Sequence, residues 1–349
     1  MDDLEIGGDF DWRHRPYEAC LPWPAAHTWY SLGREALRAA LCQAGSRRVW
    51  LPGYFCRDAV LYLEGAGFPV SFYRDSPVQL QPSWDSLDPQ PGDAVVAVNY
   101  FGSRSGEAWR AWSQKRPDVV LVEDHTHDPF SPWACASTAH FAFASARKTF
   151  PIPDGGILWS PSGRGLPARA SSLNWLASTL KTAGMVAKSI YLDSSSRSAA
   201  LKHATRWFLK WGDQTLCSTR MRGLSPWARL ALPGGAPLEW RARREQNVRL
   251  FLDFARGLAS PAPLFREWPE GNCPFNPVLL FPTREQRDRV HRGLTGRGIY
   301  CPVHWPQADN APADCRDLAN RILTLPLDQR YGASAVRYVW ESLMACCSC

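Results

Sequence analysis

Nowhere in the 349 residues is there an apolar run long enough to span a bilayer, so a membrane-spanning helix is not expected. Internal repeats and low-complexity blocks are also missing. The 29 prolines and 25 glycines are scattered rather than gathered, which argues against a collagen-like or disordered tract. Lys and Arg outnumber Asp and Glu, 40 to 33, for a formal net charge of +7. No basic stripe or recognition helix goes with that excess, so a nucleic-acid-binding module is disfavoured. The excess suits an anionic substrate such as a nucleotide-sugar or a phosphate. The 11 cysteines are an odd number without metal-site spacing in the body of the chain, and no metal is expected. The opening MDDLEIGGDF is acidic and has no apolar core, so no signal peptide is expected, and the thiols are read as reduced in a cytoplasmic protein. The tail Cys346-Cys347-Ser348-Cys349 is read as incidental, since zinc sites usually pair ligands from separate segments.

What is present is an ordinary globular composition, 45% hydrophobic and 21% charged, with 17 tryptophans. The length suits one large domain and a smaller one. Short β-branched runs at 49–51, 69–73, 93–98, 119–122, 140–144 and 157–159 read as buried strands. Helical patterns at 58–66 and 107–115 alternate with them. A further helix follows Ser31, read as its N-cap with Glu35 near the reciprocal position. Strand–helix–strand alternation predicts an α/β chain with a doubly wound, mostly parallel sheet. Residues 168–210 read as helical, with a break at Ser194-Ser195-Ser196, and Pro233-Gly234-Gly235-Ala236-Pro237 is a strong turn cluster. The boundary is placed there. It leaves a large α/β domain over 1–235, opened by an irregular arm, and a small C-terminal α+β domain over 236–349. In the small domain, helices are expected at 240–258, 284–297 and 333–344, with strands at 275–281, 298–302 and 322–327.

The chemistry gathers in residues 121–156. One strand delivers Glu123-Asp124-His125-Thr126-His127-Asp128 at its carboxyl end, where open α/β sheets place ligands. The next delivers Ser145-Ala146-Arg147-Lys148, and a Pro153-Asp154-Gly155-Gly156 turn follows. An acid after one strand and a lysine after the next suggest pyridoxal phosphate. The lysine can form a Schiff base, and the acid can hold a pyridinium nitrogen protonated. Ser31 and Gly33, at the start of a helix, can offer free backbone N–H groups to a phosphate.

These stretches, EDHTHD and SARKTFPIPDGG, resemble the DegT/DnrJ/StrS group of pyridoxal-phosphate-dependent aminotransferases, which have the aspartate-aminotransferase fold and many of which aminate keto-sugar nucleotides. The resemblance runs through residues 27–160 and more loosely through 240–345, while 165–235 matches poorly. It implies Lys148 as the catalytic lysine, Asp124 at the pyridine nitrogen and His127 near the 3′-oxygen. It further implies Ser145, Ser31, Gly33 and Arg34 at the phosphate, and an aromatic ring on the pyridine, Phe55 with Tyr54 as the alternative. On the substrate side it points to Asn99, Tyr100 and His304, although a strand-end Asn that satisfies local backbone is the plainer reading of Asn99. His125, Phe143 and Asp154 depart from the group's usual small residue, serine and glutamate. The implied activity is transfer of an amino group from an amino-acid donor, glutamate being expected, to a keto-sugar nucleotide or similar small ketone in polysaccharide or natural-product synthesis. A homodimer with shared sites is implied as well. Two alternatives stay open: an elimination or dehydration on the same fold, or a non-catalytic relative that binds or regulates. Lys148 argues against the dehydratase branch, which carries histidine there.

Overall fold

The computed structural model describes residues 5–13, 19–194, 198–216 and 220–348. Its centre is a seven-stranded sheet built from β1 (His27–Tyr30), β2 (Val49–Pro52), β3 (Val70–Tyr73), β4 (Ala94–Val98), β5 (Val120–Asp124), β6 (Phe141–Ala144) and β7 (Gly156–Trp159). The strand order is β1-β7-β6-β5-β4-β2-β3. All neighbouring pairs are parallel except those that β7 makes with β6 and β1. β4 reads AVVAV and is buried at every position, as expected for a strand covered on both faces. The crossovers are α1 (Gly33–Ala44), α2 (Arg57–Gly65) and α3 (Glu107–Lys115). α1 turns Ala36, Leu37, Ala40 and Leu41, all fully buried, onto the sheet and ends in a left-handed Gly45.

One expectation fails at the start of α1. The cap is Leu32, with no side-chain cap, and not Ser31. Ser31 is committed through its backbone instead. Its N–H donates to Arg222 O at 2.8 Å and its carbonyl accepts from Gly155 N–H at 2.6 Å, which ties the helix entry to the turn before β7. Glu35 likewise turns inward to accept from Arg222 N–H at 3.1 Å.

The stretch predicted as helical is a hairpin of two long helices, α4 (Trp175–Asp193) and α5 (Ala199–Leu216). They approach closely at two glycines: a Cβ on Gly184 would meet Leu209, and one on Gly212 would meet Lys181. Of the expected break, Ser194 lies between the helices, while 195 and 196 fall outside the described residues. Beyond the turn cluster come α6 (Leu238–Phe254), α7 (Arg284–Gly296), α8 (Ala313–Arg321) and α9 (Ala333–Cys347). They surround an antiparallel sheet of β8 (Ala262–Pro263), β9 (Val278–Leu280) and β10 (Ile322–Thr324). Phe251, Leu279, Val290, Leu323, Val339 and Leu343 share a core of their own here, and Cys346 packs into it. α8 was not read from the sequence; in ADCRDLANR the face it buries is only Cys315, Leu318 and Ala319. The arm is less irregular than expected. Ile6–Gly7 pairs in parallel with Ile299–Tyr300, and Cys20–Pro22 pairs antiparallel with Gly235–Pro237.

Candidate active site

β5 and β6 end side by side, and the N-terminus of α1 points at the same place. A cavity of about 170 Å³ lies there, and its wall includes Gly33, Arg34, Phe55, Asp124, Ser145 and Lys148. Lys148 closes a single helical turn after β6, its N–H donating to Ser145 O at 3.0 Å. Burial lowers its pKa, and the neighbouring Arg147 guanidinium lowers it further. Lys148 and Arg147 also border a second cavity of about 540 Å³, on whose wall His304, Asn276, Asp328 and Arg330 stand with the arm residues Gly8, Asp9 and Phe10. The lysine therefore sits between two compartments.

Asp124 ends β5 with its Oδ1 accepting from Thr126 N–H at 2.9 Å. Burial raises its pKa, opposed by the Thr126 hydrogen bonds and by the charge of Lys148. Thr126 Oγ1 in turn accepts from Ser145 N–H at 3.1 Å, which locks the two strand ends together. Gly33 has to be glycine here, because a Cβ would come within 2.9 Å of Ser145 Cβ. That close approach aims the first turn of α1 into the cavity, where the N–H groups of Gly33 and Arg34 precede the first intrahelical bond, Glu35 N–H to Leu32 O at 3.1 Å. Arg34 and Arg147 add guanidinium groups whose buried Nε atoms have no hydrogen-bond partner.

Phe55 lines the cavity, whereas Tyr54 is turned away: its hydroxyl donates to His304 O, and its ring packs on Tyr100 and Trp305. His304 reaches the second cavity and is held by Thr324 Oγ1 at 2.9 Å. Burial and the charge of Lys148 push its pKa well below the usual value, so it is neutral.

Four of the sequence candidates lie off these walls. Ser31 is buried behind α1. Asn99 satisfies local backbone, with Oδ1 accepting from Arg104 N–H at 3.1 Å and Nδ2 donating to Ser131 Oγ at 3.3 Å. Tyr100 is fully buried, donates to Tyr54 O at 2.7 Å and lies under the Arg104 guanidinium. His127 is stacked between aromatic rings: Trp305 at 5.3 Å, Phe275 at 4.4 Å and Phe101 at 4.9 Å. It is Trp305 that reaches the first cavity. His127 Nδ1 accepts from Phe101 N–H at 2.9 Å, which leaves the proton on a buried, unpartnered Nε2, and burial drops its pKa to about 3.

Sequence reading missed Trp305, although the His-Trp-Pro stretch was visible, because the ring is brought to the cavity by chain more than 150 residues beyond Lys148. It also missed the support behind α1. Asp154 accepts from Ser225 Oγ at 2.6 Å and from Ser225 N–H at 3.2 Å. His125, unassigned from sequence, is a fully buried partner of Glu123 at 2.9 Å, packed between Trp133 and Trp159.

This sheet order, with a lysine just past β6 and an acid at the end of β5, is the fold of the DegT/DnrJ/EryC1/StrS-type aminotransferases. Among solved structures, TlmJ, an aminotransferase from Streptoalloteichus hindustanus, is similar at 19% identity, with 92% of this chain and 86% of that one covered and a TM-score of 0.59. A DegT DnrJ EryC1 StrS aminotransferase from Brucella abortus is similar at 13% identity, covering 92% and 85%, with a TM-score of 0.58. DesI, solved in the presence of its TDP-sugar product, is similar at 16% identity, covering 92% and 80%, with a TM-score of 0.61. These likenesses show the fold. No protein-family model and no curated protein matches the chain.

The residues present fit pyridoxal phosphate. The unpartnered Nε atoms of Arg34 and Arg147 and the first turn of α1 suit a phosphate dianion. Asp124 suits a ring nitrogen, Phe55 the ring face and Lys148 the aldehyde carbon.

Proposed function

We propose that the chain is a pyridoxal-phosphate-dependent aminotransferase. In this reading it takes an amino group from an amino-acid donor, glutamate, and passes it to a keto-sugar nucleotide or similar small ketone in polysaccharide or natural-product biosynthesis. The observation that carries the reading is Lys148 and Asp124 on the wall of one cavity, beneath a helix start flanked by two guanidinium groups with unpaired N–H.

Bound there, the cofactor supplies an electron sink for charge that develops at the substrate carbon. The chain's own residues do the rest. Lys148 Nζ takes and returns the proton at that carbon, and its lowered pKa enlarges the neutral fraction able to do so near neutral pH. Asp124 would hold the ring nitrogen, its carboxylate favoured against burial by the Thr126 hydrogen bonds and the charge of Lys148. Arg34, Arg147 and the α1 amides bind phosphate, and Phe55 and Trp305 exclude water from the ring. Substrates are placed in the second cavity, beside His304. Its wall carries Arg147 together with Asp9 and the Arg330–Asp328 ion pair, charged groups that suit a polar acceptor. A cytoplasmic homodimer that shares its sites belongs to the same reading.

The test is the visible spectrum of purified protein with added pyridoxal phosphate, for wild type and Lys148→Ala, before and after glutamate. The expected result is an absorption band in wild type alone that glutamate discharges. A band that glutamate leaves unchanged would overturn the amino-transfer step, and no band would overturn the cofactor.

A further inference from the structure

Phe55 and Trp305 stand on the wall of one cavity, yet they come from segments far apart in sequence: the loop after β2 and the stretch between Tyr300 and α8. Neither ring has a polar anchor of its own. Phe55 carries no polar side-chain atom, and the buried Trp305 Nε1 has no hydrogen-bond partner. Their placing depends on the backbone that bears them and, for Trp305, on stacking over His127.

One side chain touches the backbone of both. Gln307 Oε1 accepts from Phe55 N–H at 3.0 Å, and Gln307 Nε2 donates to Trp305 O at 2.8 Å. Only one orientation of the amide makes both bonds, because its oxygen has to meet an N–H and its nitrogen a carbonyl. An apolar side chain could fill the same space and make neither bond. The residue before each ring is tied in the same way, by the Tyr54 hydroxyl donating to His304 O. Tyr54 is fixed in turn on the large sheet's side, where its N–H donates to Asp75 O at 3.1 Å and its carbonyl accepts from the Tyr100 hydroxyl at 2.7 Å. Gln307 thus completes a seam that runs beside the cavity, and it alone in that seam bonds directly to both ring-bearing residues. Walls that receive a rigid planar group have to keep their spacing to within about 0.5 Å.

We propose that Gln307 is a positioning residue for the cofactor: its amide bridges Phe55 and Trp305 and sets the spacing of the two aromatic walls that receive the pyridoxal ring. The inference rests on the pyridoxal phosphate reading of this cavity.

The test compares the full chain as wild type, Gln307→Met and Gln307→Ala, both of which remove the two bonds, and Asn310→Ala. Asn310 lies on the same stretch and donates to Glu64 Oε1 at 3.1 Å, away from the rings, so its variant loosens the stretch without touching the bridge. Far-ultraviolet circular dichroism matching wild type identifies the variants that fold, and either Gln307 variant suffices. In cofactor-free protein, hydrogen exchange in the peptide that carries the Phe55 amide is expected to quicken about tenfold in the Gln307 variants. Fluorescence titration is expected to show about tenfold weaker binding of pyridoxal phosphate, and the visible circular dichroism of the bound cofactor is expected to change. Asn310→Ala is expected to match wild type in all three. Unchanged exchange at Phe55 overturns the proposal, as does faster exchange with affinity and visible circular dichroism intact. An equal loss of affinity in Asn310→Ala also overturns it, since general loosening would then account for the effect. Failure of the cofactor reading is told apart because wild type itself would show no absorption band, and the proposal would fall with it.

Discussion

Glu35 holds its carboxyl on the buried side of α1, where its Oε2 accepts one backbone N–H from Arg222 and its Oε1 finds no partner. Burial pushes its pKa from 4.5 to about 7. A carboxyl whose pKa is higher in the folded chain binds its proton more tightly there. Its contribution therefore favours the native state at the acid end and is lost as pH rises from about 4.5 through about 7. Glu35→Gln keeps an acceptor for Arg222 and cannot ionise. Across that window the unfolding free energy of Glu35→Gln should gain on wild type by on the order of 3 kcal/mol. Denaturant melts at the two ends of the window would show it, and parallel curves would refute it. At the reacting centre, the lysine and the acid were legible as single residues, since a strand end announces what it delivers. His127 was not. Its place under Trp305 depends on rings contributed by Phe101, Phe275 and the His304-Trp305 stretch.

Among the elements, α1 does most to shape the phosphate end of the cavity. Gly33 lets it approach Ser145, and Gly156 lets β7 pass beneath its entry, where a Cβ would strike the Leu32 carbonyl at 2.2 Å. Gly33→Ala should push the helix start off Ser145 at a cost of about 1–3 kcal/mol. Pyridoxal phosphate affinity should fall roughly tenfold, because the amides no longer converge on the phosphate. Fluorescence titration with the cofactor would measure this, and an unchanged affinity would remove α1 from the phosphate site. Strands and amphipathic helices of the sheet were legible from period and β-branching. The cap was not, because Ser31 spends its backbone on Arg222 and Gly155, partners that are distant in sequence.

For the molecule as a whole, the arm is what joins the parts. Ile6 sits in the C-terminal core, Lys188 of α4 grips the carbonyls of Gly7 and Asp9, and Arg330 donates to Asp9 O at 3.1 Å. The strap so made forms one side of the larger cavity. Gly7 has φ +92°, and a Cβ there would meet Tyr300 O at 2.4 Å. Gly7→Ala should loosen the strap by roughly 1–2 kcal/mol, enough to speed tryptic cleavage after Arg13 about tenfold. Limited digestion followed by mass spectrometry would read this out, and wild-type kinetics would show that the strap is held elsewhere.

The sequence by itself determined the α/β class, the alternation of strands and helices, and the lysine and acid at adjacent strand ends. Each of these follows from local periodicity and from chemistry carried by a few neighbouring residues. Only the tertiary structure decided which candidates reach a cavity, that Trp305 and Arg147 join them, that Asn99 and Tyr100 serve the scaffold, and that the arm walls the second compartment. The physical reason is common to all of these. Burial, pairing and pKa depend on groups brought together from distant parts of the chain, and no local pattern records which partners will meet.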